Sequence, residues 1–114
     1  MKRLIAMNDE HGEILVRCLQ RMQALECAKR PPKWRALENE DFDEQLEHGP
    51  RYAAGSWFGQ IQNHERQRLL RAISELERGG LLVTHRRWGR RLSHIRLTAE
   101  GEKIAQKLLK EAAQ

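Results

Sequence analysis

Four arginines and one tryptophan surround Gly89 in the six residues from Arg86 to Arg91. The two flanking runs, Leu81–His85 and Leu92–Leu97, are short and rich in strand-forming residues, so they predict a β-hairpin with the arginines at its tip. Like charges this close together repel, and nothing about folding requires them there. A polyanion would balance them, so the sequence predicts a polyanion-binding tip whose candidate residues are Arg86, Arg87, Trp88, Arg90 and Arg91.

Plainer interpretations of this tip remain open. The arginines can be solvated residues of an ordinary soluble turn. Trp88 is more often a side chain that packs across its own hairpin than a wedge between base steps. His85 and His94 are expected to face each other across the two strands.

The helix that precedes the hairpin carries a second candidate set. Apolar residues recur at helical spacing and predict a helix over 64–78 that lies on a core through Leu69, Leu70, Ile73 and Leu76. On the same helical wheel His64, Gln67 and Arg71 project outward, Arg68 lies on a flank, and Glu65 and Arg66 lie nearer the core edge. Arginine and glutamine can each form paired hydrogen bonds to a base edge. The candidate residues of this helix are Asn63, His64, Gln67, Arg68 and Arg71; the alternative is a solvated helix face.

Length and charge indicate one folded domain over 1–114 with an uneven charge distribution. Residues 1–50 hold 8 Lys/Arg and 10 Asp/Glu, whereas residues 51–114 hold 13 and 6. The positive charge therefore belongs to the second half. No apolar run approaches the length of a membrane span, and the start of the chain turns polar too early for a signal peptide. We expect a cytoplasmic protein that does not contact a membrane.

Cap and breaker residues divide the chain into four segments. Asn8 is expected to cap an N-terminal helix, 8–28, and Thr98 a C-terminal helix, 99–113. A connecting segment, 33–55, contains the acidic stretch 38–47 and a lightly packed short helix that Gly49-Pro50 ends. The remaining core segment, 56–98, is expected to hold a short helix capped by Ser56 and the helix 64–78 capped by Asn63.

Cysteine and histidine spacing does not favour a metal site. Cys18 and Cys27 lie nine residues apart on one predicted helix, which puts them on opposite sides of it, and the histidines show no ligand spacing with them. The chain also lacks a Gly-rich phosphate loop and a nucleophile with a placed base. We expect no cofactor, no metal and no enzymatic activity.

Two motifs in 56–110 resemble the winged helix-turn-helix transcriptional regulators of the MarR and PadR kinds. One is a Leu-Glu-x-x-Gly-Leu ending of the recognition helix, here Leu76–Leu81, and the other is a Leu-Thr-x-x-Gly exit from the wing, here Leu97–Gly101. The resemblance implies a mainly α fold with a small β-hairpin and additional terminal helices. It also implies that helix 64–78 reads the major groove of double-stranded DNA and that the wing, 86–91, lies on the backbone or minor groove.

Two hypotheses on function follow. The first is a DNA-binding transcriptional regulator, a homodimer that pairs its terminal helices. The second is a winged-helix module of a replication, partition or mobile-element assembly that binds proteins, or DNA without sequence preference. The acidic stretch 38–47 would be its protein-binding surface.

Overall fold

The computed structural model describes residues 7–112. The polar start of the chain and residue 113 of the predicted C-terminal helix lie outside this part. Within it the fold is mainly helical with one two-stranded antiparallel hairpin, as the sequence predicted. The elements in chain order are α1 (Asp9–Cys27), α2 (Ala36–His48), α3 (Ala54–Phe58), α4 (Asn63–Arg78), β1 (Leu82–Arg87), β2 (Arg91–Leu97) and α5 (Ala99–Ala112).

Helix α1 lies at the centre of the core. Its residues Ile14, Leu15 and Cys18 are fully buried, and the helix packs against α5, α4 and β2. These apolar residues of α1 belong to the same core cluster as those of α4 and the hairpin. No helix in the described part of the chain is long and apolar enough to cross a bilayer.

A histidine fixes the start of α1 to α4. Asn8 caps the helix as predicted, because its Oδ1 accepts from the His11 N–H at 2.9 Å, while the His11 Nδ1 accepts from the Asn8 N–H at 3.2 Å. The His11 Nε2 therefore carries the proton and donates it to Glu75 Oε1 at 3.2 Å. This buried ring joins the first turn of α1 to α4.

Two predicted caps are wrong. Helix α3 begins at Ala54, so Ser56 lies inside it rather than before it. Helix α4 has Gln62 as its N-cap, and Asn63 is the first helical residue. The reason at α4 is that Glu65 Oε1 accepts from the Gln62 N–H at 3.4 Å, which satisfies the backbone one position earlier than an asparagine cap would.

Helix α4 ends in a Schellman motif. Gly80 has a φ of 76°, a left-handed conformation that glycine adopts without a Cβ penalty. Its N–H donates to the Glu77 carbonyl and the Leu81 N–H donates to the Leu76 carbonyl, both at 3.0 Å. This pattern is the physical reason for the Leu-Glu-x-x-Gly-Leu sequence, and it turns the chain directly into β1.

The hairpin is longer and its turn tighter than the sequence predicted. The strands extend to Arg87 and resume at Arg91, so three residues connect them. The β-turn runs from Trp88 to Arg91, and its central residues Gly89 and Arg90 have φ of 66° and 69°. Positive φ at both central residues defines a type I′ turn, which matches the twist of the strands. The register pairs Leu82 with Leu97 and shifts between His85 and Arg86.

A short segment before α3 pairs with the outer edge of β2. Arg51 forms an isolated bridge with His94. The Tyr52 N–H donates to the Ser93 carbonyl at 2.8 Å, and the Ile95 N–H donates to the Pro50 carbonyl at 3.1 Å. This pairing covers the edge of β2 and carries the chain from α2 to α3.

The hairpin is joined to α5 by a close backbone approach. Thr98 caps α5 as predicted, since its Oγ1 accepts from the Gly101 N–H at 3.1 Å. The Thr98 N–H also donates to the Leu81 carbonyl at 3.1 Å. A Cβ built on Gly101 would lie 1.9 Å from that same carbonyl oxygen, so only glycine fits. This contact accounts for the glycine of the Leu-Thr-x-x-Gly sequence.

Candidate nucleic-acid interface

An open groove runs between the N-terminal half of α4 and the hairpin; we call it the α4–hairpin groove. Its floor lies near the start of α3, where Tyr52 and Ser56 contribute to the lining. The helix wall presents amide and guanidinium groups, and the opposite wall is formed by the hairpin. These two walls are lined by Asn63, Arg66, Gln67, Leu70, Arg86, Arg90, Arg91 and Leu92.

The arginines of the groove are not neutralised by the fold. Among residues 7–112, Arg66, Arg90 and Arg91 form no ion pair, although all three side chains are exposed on the same groove. Arg86 uses one guanidinium nitrogen to donate to the Arg90 carbonyl at 3.1 Å. Uncompensated positive charges thus come from two separate elements, and they create a local field that attracts anions.

Five of the predicted site residues line this groove: Asn63, Gln67, Arg86, Arg90 and Arg91. His64 and Arg71 are exposed on the outer surface of α4, as the helical wheel predicted, but they do not line the groove. Because residues four apart are neighbours on a helix, Arg71 still lies beside Gln67. The two side chains form an outward row next to the groove.

Two predicted site residues are held elsewhere by carboxylates. Arg68 pairs with Glu10 of α1 at 2.7 Å, so its charge is directed toward the N-terminal helix. Arg87 pairs with Glu44 of α2, on the other side of the hairpin from the groove. The sequence could not show either partner, because both lie on helices far away in the chain. Neither arginine belongs to the groove.

Trp88 is the most exposed large apolar side chain at the hairpin tip. It is 91% exposed, so the expectation that it packs across its own hairpin is wrong. The tight turn at Gly89 and Arg90 directs it away from both strands, and within residues 7–112 no side chain covers it. An uncovered indole beside Arg87 and Arg91 presents a flat apolar surface next to positive charge.

The groove also contains residues that the sequence did not single out. Arg66 was expected near the core edge and Leu70 in the apolar stripe, yet Arg66 is exposed and Leu70 is 37% exposed. Both lie on the side of α4 that faces the hairpin tip, one turn apart. Their spacing from Asn63 and Gln67 was the available signal, but the direction of the hairpin was unknown from the sequence.

Tyr52 adds a hydroxyl group to the floor of the groove. Burial raises the pKa of Tyr52, and the nearby charge of Arg66 opposes this shift only in part. Its ring packs edge-on against Trp57 with the centroids 5.3 Å apart. Trp57 is itself anchored through its indole N–H to the Arg51 carbonyl at 3.1 Å. The hydroxyl therefore stays protonated on a rigid support and can donate a hydrogen bond.

A second polar cluster lies where α2 packs on the opposite face of the hairpin. Glu44 pairs with Arg87, and Asp41 pairs with Arg51. His48 of α2 stacks on His85 of β1 with ring centroids 3.5 Å apart. His85 and His94 face each other as predicted, with centroids 5.7 Å apart.

His94 is the fully buried member of this cluster. Its burial lowers the pKa of the imidazole to about 4, and the positive charge of Arg51 and the neighbouring cationic side chains adds to this effect. The ring is therefore neutral near pH 7. Asp41, Glu44 and His94 bring one potential metal-ligand atom each to within 4.8 Å of one another. Sequence spacing gave no indication of this group.

The acidic stretch 38–47 is largely engaged within the chain. Besides the pairs of Asp41 and Glu44, Asp43 pairs with Arg30 at 2.6 Å and Glu38 with Arg35 at 3.2 Å. These contacts dock α2 onto the preceding linker and the hairpin, although α2 buries no residue fully. The acidic stretch therefore helps to attach α2 to the rest of the fold.

Comparison with protein-family models, with curated proteins and with solved structures found no match.

Proposed function

We propose that this chain is a winged-helix DNA-binding transcriptional regulator, in which α4 enters the major groove and the hairpin tip lies along the backbone or the minor groove. One observation carries the proposal. Arg66 on α4 and Arg90 and Arg91 on the hairpin are unpaired within residues 7–112, and they line the same open groove. Three uncompensated cations on two converging elements favour a polyanionic ligand.

The chemistry of α4 supports base contacts. Asn63 and Gln67 carry amides, which pair in a bidentate way with adenine, and Arg66 and Arg71 carry guanidinium groups, which pair with guanine. All four are exposed, three of them in the first half of the helix and Arg71 just after its midpoint. Each good bidentate pair contributes about 1–3 kcal/mol of discrimination against a wrong base.

The residues of the hairpin tip are suited to contribute affinity for DNA rather than sequence selectivity. Arg90 and Arg91 would contact phosphates, which position a protein on DNA without reading its sequence. The uncovered indole of Trp88 would lie against a sugar or a base step. The backbone bridge between Arg51 and His94 attaches the segment before α3 to β2, which connects α3 to the hairpin.

We also propose a homodimer formed through the terminal helices. Two recognition helices must lie about one DNA turn, ~34 Å, apart to read two half-sites, and a two-fold axis places them so. On the outer side of α1 and α5, Val16 and Leu108 are only half-buried and line a shallow depression beside Gly12. Light scattering at tens of micromolar should give twice the chain mass, and a monomer would contradict this part of the proposal.

A second candidate is the protein-interaction module. It is favoured by Trp34 and Leu37, which are 76% and 81% exposed near the start of α2. The acidic stretch supports it less, because Asp41, Asp43 and Glu44 are already paired with arginines of this chain.

Titration of the protein against genomic DNA fragments at several salt concentrations tests the proposal. A regulator binds a few fragments tightly and the rest weakly, and the logarithm of both affinities falls linearly with the logarithm of salt. Equal affinity for all fragments would show that the protein binds DNA without sequence preference. No binding at low salt would favour the interaction module.

A matched pair of charge reversals locates the surface. Arg66→Glu changes an exposed arginine on the groove, whereas Arg78→Glu makes the same change at the last residue of α4, outside the groove lining. Arg66→Glu should lower DNA affinity at least tenfold, and Arg78→Glu should leave it within about twofold at physiological salt, where screening limits distant charges to short range. Equal losses from both variants would show that only net charge matters.

A further inference from the structure

Two buried polar atoms face each other across the contact between α2 and the hairpin. The Nε2 of His94 and the Oε2 of Glu44 lie 3.9 Å apart, and among residues 7–112 neither has a hydrogen-bond partner. The His94 side chain is completely buried. Leaving a buried polar group unsatisfied costs about 1–3 kcal/mol, so such pairs are rare and indicate a missing interaction.

The hydrogen bonds of Ser93 determine which atom of His94 is protonated. The Ser93 hydroxyl donates its single proton to the His85 carbonyl at 3.1 Å. It must therefore accept from the Nδ1 of His94, which lies 2.8 Å away. The neutral imidazole then holds its proton on Nδ1 and presents a lone pair from Nε2. Two lone pairs, one from nitrogen and one from Glu44, thus point toward the same space.

We propose that Asp41, Glu44 and His94 bind one divalent transition-metal ion of the Zn²⁺ class. Their three ligand atoms already lie within 4.8 Å of one another. One imidazole and two carboxylates form a donor set that suits Zn²⁺, whereas Mg²⁺ and Ca²⁺ prefer oxygen ligands alone. The proposal does not depend on DNA binding, since the α4–hairpin groove lies on the other side of the hairpin.

The positions of the ligands suit coordination. Asp41 and Glu44 are three residues apart on α2, so they share one helix face. Tetrahedral zinc with bonds of about 2.0–2.1 Å separates its ligand atoms by about 3.4 Å, so the carboxylates need only small rotations. The bond from Nδ1 of His94 to Ser93 is the kind of outer contact that orients a metal-bound histidine.

Arg51 and Arg87 are the competing cations at this site. Each pairs with one oxygen of Asp41 and Glu44 respectively, and each side chain is partly exposed, at 52% and 35%. The Arg51–Asp41 pair is exposed, and such pairs contribute only about 0–1 kcal/mol, so a metal ion can displace Arg51 at little cost. The Arg87–Glu44 pair is partly buried, but it uses Oε1 of Glu44 and need not break. Oε2 of Glu44 is free of them already.

The test is calorimetric titration of the metal-free full chain with Zn²⁺, with Co²⁺ absorption as a second readout of the ligand geometry. The wild type should bind one ion per chain, and Mg²⁺ should not compete. Glu44→Gln, which preserves the shape of the side chain, should weaken Zn²⁺ binding at least about tenfold. Arg87→Gln removes the same ion pair but keeps the ligand, so it should bind Zn²⁺ as tightly as the wild type or more tightly.

The paired variants separate a ligand from a merely structural residue. If Glu44 acted only through its ion pair with Arg87, both variants would change Zn²⁺ binding equally, and that result would overturn the proposal. Failure of the wild type to bind one Zn²⁺ ion would also overturn it. Glu47→Gln alters an exposed carboxylate on the same helix and should leave the affinity unchanged, and circular dichroism of each variant verifies that it is folded.

Discussion

Replacement of Gly101 by alanine should destabilise the protein, although alanine is the better helix former. Gly101 lies in the first turn of α5, where helix propensity alone predicts a gain of up to about 1 kcal/mol. The tertiary structure predicts the opposite sign. A Cβ at this position would lie 1.9 Å from the Leu81 carbonyl oxygen and 2.9 Å from its carbon, where no real side chain fits.

The magnitude follows from what must move. The added methyl group overpacks the contact with the Leu81 carbonyl, so α5 must shift away from Leu81. Overpacking of this kind costs about 1–3 kcal/mol. The same movement strains the hydrogen bond from the Thr98 N–H to the Leu81 carbonyl, which contributes about 0.5–1.5 kcal/mol. After the propensity gain is subtracted, the net loss is about 1–3 kcal/mol. At roughly 4 °C per kcal/mol for a domain of this size, Tm should fall by about 4–12 °C.

Gly12→Ala is the matched control. Gly12 also lies in the first turn of a helix, α1, but a Cβ there would meet Leu108 Cδ1 at 3.5 Å, an ordinary contact. This variant should keep or raise Tm by up to about 4 °C. Urea and thermal unfolding of both variants give the two free energies. A rise in stability for both would refute the close approach between α5 and Leu81.

Three further predictions concern the surface and the thiols. Arg71→Ala should weaken binding to the preferred DNA site by about 1–3 kcal/mol and much less to random DNA, with Tm nearly unchanged; equal weakening on both DNAs would mean that Arg71 touches only phosphate. Replacing Arg90 and Arg91 by alanine should lower the affinity for all DNA sequences similarly. The slope of log affinity against log salt should become shallower by about 0.9 for each phosphate that is no longer neutralised, and an unchanged slope would mean that the hairpin tip does not contact the DNA backbone. Burial, with the charge of a nearby carboxylate, raises the pKa of Cys18 to about 12, whereas Cys27 is exposed. A disulfide reagent should therefore modify one thiol quickly in the native protein and both after unfolding, and two fast thiols would contradict the buried position of Cys18.

Local features of this fold could be predicted because their physical causes lie within a few residues. Asn8 and Thr98 cap their helices through side chains that reach backbone N–H groups three residues away. The glycine pair after Arg78 ends α4 because one of the two adopts a positive φ. Ile95 and Leu97 are two residues apart, so they share one face of β2, and both are buried.

The sequence by itself thus determined the order of helices and hairpin, the caps of α1 and α5, the C-terminal end of α4 and the concentration of positive charge in the second half. It could not determine which side of α4 meets the hairpin, because a helical wheel shows only what points away from the core. Tertiary packing decided that Arg66 lines the groove, that Glu44 takes Arg87 out of it, and that His94 is buried opposite a carboxylate. These contacts join residues far apart in the chain, so no local pattern records them.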